Sequence, residues 1–88
     1  MNNIRKMILE RAIAHFGSGA QWAKSIEELS ELIRALARGD DPDNLAEEMA
    51  DVRIMLDQLE LILGNHDQVR QYEYAKLTRL NERVRAYE

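Results

Sequence analysis

Four glycines and one proline are the only strong helix breakers in these 88 residues, and they are bunched. Gly17-Ser18-Gly19, Gly39-Asp40-Asp41-Pro42 and Gly64-Asn65 separate runs rich in Leu, Ala, Glu and Arg, which lose little on entering a helix. A chain punctuated in this way has few options beyond four helices with tight connections. The first is expected from about Asn3 to His15 or Phe16. Ser18 is placed to cap the second, which continues through Gln21 and Trp22 to about Arg38. Asp41 before Pro42 sets an acidic cap ahead of a first-turn proline, opening a third helix that reaches about Leu63. A fourth follows from about Asp67 to Tyr87. Short loops between long helices make neighbours antiparallel, so the expected fold is all-α, a four-helix bundle-like protomer in one domain covering residues 1–88.

The chain is near the lower end of what a single core supports, and chains of this size often complete their core by oligomerising. With 45% apolar and 32% charged residues it is globular in character, not disordered. The third helix carries Leu45, Met49, Val52, Leu56, Leu59 and Leu63 in one stripe, with Ile54 and Leu61 on roughly the opposite side. A helix apolar on two sides is buried between layers, so a homodimer or homotetramer built across a second apolar face is expected. A net charge of −4 argues against a nucleic-acid polymer or an anionic membrane as the main partner. The chain has no cysteine, so disulfide and thiol chemistry are excluded. That suits a reducing cytoplasm, the expected location. The opening MNNIRKMILERAIAHF lacks the apolar core of a signal peptide, and no stretch is long enough to cross a bilayer.

On a helical wheel, Trp22, Ile26, Leu29, Ile33 and Leu36 form the expected core stripe of the second helix. Glu28 falls on its flank with Ser25, Leu32 and Ala35, and Glu31 points the same way at i+3. The third helix repeats the pattern, with Glu48 beside Val52 and Asp51 at i+3. Two acid pairs therefore stand at the margins of core-facing sides. Burying an ionised carboxylate costs several kcal/mol, and crowding like charges adds to that, so such a cluster persists where cations neutralise it. An all-oxygen set with no cysteine, and no histidine at ligand spacing, suits Mg²⁺ or Mn²⁺. The competing interpretation is a pair of solvated acidic faces.

Glu27-Glu28-Leu29-Ser30-Glu31 reads EExxE, and Glu48-Met49-Ala50-Asp51 reads ExxD. Their order and separation, with Gln21 ahead, EEMADVRIMLDQL around the second motif and KLTRLNERV in the last helix, resemble the MazG-type all-α nucleoside triphosphate pyrophosphohydrolases. The likeness runs from about Phe16 to Val84. It implies Mg²⁺-dependent hydrolysis of a (deoxy)nucleoside triphosphate to the monophosphate and pyrophosphate, in the manner of nucleotide-pool housecleaning. It further implies metal ligation by Glu28, Glu31, Glu48 and Asp51, with Glu27 orienting water or supporting the ligands. Lys76 matches a phosphate-binding lysine; it lies near the middle of the stripe defined by Val69, Leu80 and Tyr87, where a snorkelling side chain is the alternative. Arg79 is a weaker phosphate candidate. Trp22 is a candidate for stacking on the base and Gln21 for contacting its edge, although a tryptophan heading an apolar stripe is commonly core. Two other functions compete. One is the related phosphoribosyl-ATP pyrophosphohydrolase; the other is a non-catalytic helical adaptor whose acids are merely solvated.

Overall fold

The computed structural model describes Met1–Glu88 and contains four helices and no strand. They are α1 (Asn3–Phe16), α2 (Ser18–Arg38), α3 (Pro42–Leu63) and α4 (His66–Ala86). Local chemistry accounts for their ends. The Asn2 side chain accepts from the Arg5 N–H at 2.7 Å and opens α1. Asp41 does the same for α3, accepting from the Asn44 N–H at 2.8 Å, with Pro42 in the first turn. Gly39 closes α2 in the left-handed region at φ 70°, its N–H bonding back to the Ala35 and Leu36 carbonyls.

One boundary differs from expectation. Ser18 is the first residue of α2 and not its cap; Gly17 holds the cap position, with φ 93°. Its N–H still bonds the Ile13 carbonyl of α1 while its own carbonyl already accepts from Gln21. One residue thus ends one helix and starts the next, which leaves Ser18 no linker to occupy.

The bundle-like body is an α2–α3 hairpin with α1 laid across both, while α4 touches only α3. The Arg5 guanidinium of α1 donates through Nε to Asp57 Oδ2 of α3 at 2.6 Å. The packed faces are not the ones that hydrophobicity selects. In α2 the buried residues are Gln21, Ser25, Glu28 and Ala35, whereas Trp22, Ile26, Ile33 and Leu36 are 46–66% exposed. In α3 the expected stripe divides: Leu45, Val52 and Leu59 turn inward, while Met49, Leu56 and Leu63 are about half exposed. Ile54 and Leu61, expected on an outward second face, are half-buried. Small side chains explain the choice. Ser25 and Ala35, each 1% exposed, let α2 lie close to its neighbour and carry Gln21 and Glu28 inside with them.

The protomer leaves unusual amounts of surface uncovered. A folded monomer of 10.2 kDa exposes about 5,300 Å²; this one exposes 7030 Å². Its radius of gyration is 15.8 Å, against about 12 Å for a compact chain of this length. Only Leu9, Ala35 and Val52 are buried apolar residues, and no residue of α4 is buried. No helix is long and apolar enough to cross a membrane.

Candidate metal and phosphate site

The hairpin brings the two acid pairs together. Glu28 of α2 and Glu48 and Asp51 of α3 each offer a carboxylate oxygen, all within 4.8 Å of one another. Glu27, Glu28 and Glu31 form a second such group along α2, so Glu28 is the hinge of the cluster. The antiparallel crossing produces this, because residues about equally far from the Asp40 turn fall opposite each other. Within each helix the i,i+3 spacing holds both acids on one side.

Clustered surface acids are common, and proximity by itself says little about a ligand. Burial adds a second observation. Glu28 is only 7% exposed, and its Oε2 has no hydrogen-bond partner. Glu48 Oε2 is likewise shielded and unpartnered. Leaving a buried acceptor unsatisfied costs about 1–3 kcal/mol, more when it is charged. The sole cation in contact is Lys24, whose Nζ lies 3.2 Å from Glu28 Oε1 and leaves Oε2 untouched. That hydrogen bond, reinforced by the charges of Glu27 and Glu28, raises the Lys24 pKa. Burial pushes the Glu48 carboxyl above its ordinary range, and the negative charges of Glu31, Asp51, Glu28 and Glu47 push it further. The donor set is all oxygen, several carboxylates point into one place, and two of their oxygens lack partners. These residues fit a hard divalent cation.

The other candidates separate into those sharing this face and those that do not. Gln21, buried at 8%, lies two turns before Glu28 on the same side of α2. Trp22 is 46% exposed and sits on the outward stripe, about 120° round the helix from Glu28. Glu27 is exposed at the rim. Lys76 and Arg79 are exposed on α4, and α4 makes no contact with α2. Lys76 lies some 15 Å along α4 from its start, lining a groove with Val69, Tyr72 and Leu80. The protomer therefore assembles the five acids and Gln21 but not Lys76, Arg79 or the Trp22 ring.

Sequence reasoning missed Lys24 as the counter-charge on Glu28, though its i,i+4 spacing was visible. It also missed Ser25, whose Oγ donates to the Gln21 carbonyl at 2.9 Å and so sits against the packed face without leaving a polar group stranded. No protein-family profile, curated protein or solved structure matches the chain.

Proposed function

We propose that the protein is a divalent-cation-dependent nucleoside triphosphate pyrophosphohydrolase, acting in the cytoplasm as a homo-oligomer. The observation that carries this reading is the pair of unpartnered, shielded oxygens on Glu28 and Glu48, within two carboxylate triads that share Glu28, one of which spans two helices. Glu28, Glu31, Glu48 and Asp51 are the residues that would hold Mg²⁺, or Mn²⁺ in its place. Such an ion supplies charge neutralisation for the triphosphate, polarisation of its phosphoryl oxygens and a more acidic water.

The side chains have separate tasks. The carboxylates of α2 and α3, fixed on rigid helices, define where the polyphosphate must lie. Glu27, exposed beside them, is positioned to orient a water and take up its proton. Lys24 holds Glu28 Oε1 and so directs its free oxygen inward. Lys76 and the weaker candidate Arg79 are assigned to the outer phosphates by the resemblance alone, since α4 does not reach the cluster within the protomer, and Gln21 shares the acid face where a base edge would approach. No nucleophilic side chain stands in the cluster, which suits attack by water.

The deciding experiment is a panel of ribo- and deoxynucleoside triphosphates, with phosphoribosyl-ATP included, scored for pyrophosphate release with Mg²⁺ and with chelator. Wild-type protein is expected to release pyrophosphate only with the metal, and Glu48→Gln to lose at least 100-fold. Full turnover by Glu48→Gln would reject the site, and turnover confined to phosphoribosyl-ATP would transfer the protein to the related activity.

A further inference from the structure

We propose that α4 is an exchanged arm: in a pair of copies, α4 of each lies along the outward stripe of α2 on the other.

Within its own protomer, α4 is held by little beyond the His66 Nδ1–Glu60 Oε1 hydrogen bond of 2.6 Å at its start. It is 21 residues long, buries no residue and meets only α3, to which it is joined through Gly64-Asn65. In proteins most helical stability comes from tertiary packing of an apolar face and not from propensity, so its order calls for packing that one chain does not supply. It nevertheless carries an apolar row: Val69, Leu77, Leu80 and Val84 are 39–59% exposed. The α2 row of Trp22, Ile26, Ile33 and Leu36 is equally uncovered. Each row is about 20 Å long, so one can lie on the other over its full length.

Charge selects the occupant. Residues 1–65 hold seven Lys/Arg against twelve Asp/Glu, whereas α4 holds five (Arg70, Lys76, Arg79, Arg83, Arg85) against three (Asp67, Glu73, Glu82). α2 itself is balanced, with Lys24, Arg34 and Arg38 against Glu27, Glu28 and Glu31, but pairing body with body would set two net acidic bodies against each other, while laying α4 on the body of another copy sets net positive on net negative. The surface fits as well. The excess of about 1,700 Å² over a compact monomer, removed from both copies, gives a total interface in the range of obligate dimers. Reciprocal exchange about a two-fold axis covers both rows on both chains and closes the assembly.

The chain contains no cysteine, so introduced thiols report cleanly. Leu77 lies at the middle of α4, and Ile26 and Ile33 flank the middle of the α2 row, so either direction of crossing brings one of them near it. Tagged Leu77→Cys is unfolded and refolded with untagged Ile26→Cys or Ile33→Cys, oxidised, and run on a non-reducing gel. A mixed cross-linked dimer exceeding the dimers of either variant alone supports the arm. Cross-links only between like variants, or a chain that sediments as a monomer, would overturn it.

Discussion

Replacing Glu28 by Gln should make the protein more stable without metal and less stable with it. In the wild type, Glu28 Oε2 is buried without a partner, a burden of about 1–3 kcal/mol. Its other oxygen faces Lys24 Nζ at 3.2 Å, and since Lys24 is 47% exposed, solvent screens that pair and it adds little. Glutamine keeps the volume, loses the Lys24 pair, and turns a repelled oxygen into an amide that can donate to Glu48 or Asp51, which lie within 4.8 Å. The balance favours the variant by about 1 kcal/mol, raising the melting temperature by roughly 4–8 °C for a domain of this size. Mg²⁺ reverses the order. At one hundred times its dissociation constant a ligand stabilises the folded state by about 2.7 kcal/mol, and the variant forfeits most of that. The assay is thermal melting by circular dichroism in chelator and in a Mg²⁺ series, at one fixed protein concentration because assembly also shifts the midpoint. A variant that melts lower in chelator, with both proteins indifferent to Mg²⁺, would mean that the cluster is a solvated acidic face.

Two further outcomes test the local chemistry. Asp41→Ala removes the cap on α3 and should lower stability by about 1 kcal/mol, read as a shifted urea midpoint, while Asp41→Asn should retain most of it. Asp40 is held below the ordinary aspartate range first by its hydrogen bonds from the Arg38 guanidinium, then by that charge and by the Asn44 amide. Its contribution is therefore fully present above the unfolded value of about 3.9 and is lost as pH falls through the lower folded value, so Asp40→Asn should flatten the acid limb of a melting-versus-pH curve. An unchanged acid limb would remove Asp40 from the account.

The helices and the acid cluster were legible because both are decided locally. Asp41-Pro42 and Gly39 act within one turn of themselves, and the i,i+3 acids share a side whatever the helix packs against. Given two helices joined by a three-residue turn, Glu28 and Glu48 come to roughly the same level, and the face that α2 turns inward decides that they meet. The packed face of α2 was not legible, because the wheel ranks residues by hydrophobicity while the hairpin chose by size. Ser25 and Ala35 win over Ile26 and Ile33 where close approach matters more than apolar area, and nothing in the spacing of the large residues reveals that. The course of α4 was hidden for a different reason. Loop length suggests an antiparallel neighbour, but direction is set at Gly64-Asn65, where some tens of degrees at the turn move Lys76, about 15 Å along the helix, by many ångströms.

That mismatch between faces ties the fold to its chemistry. A helix pair that buried Trp22, Ile26, Ile33 and Leu36 would gain apolar area and turn Glu28 toward water, dispersing the carboxylates. Burying Gln21, Ser25, Glu28 and Gln58 instead gives up that gain inside the protomer and concentrates negative charge at the hairpin seam. Three buried apolar residues are too few to hold a domain of this length against its conformational entropy. The missing stabilisation has to come from the surface left outside, and the large side chains of α2 and α4 are where it lies. Under the proposed exchange of α4, charge at the seam and apolar rows on the outside become one arrangement: the interior is given over to carboxylates, and the hydrophobic contribution falls to the contact between copies.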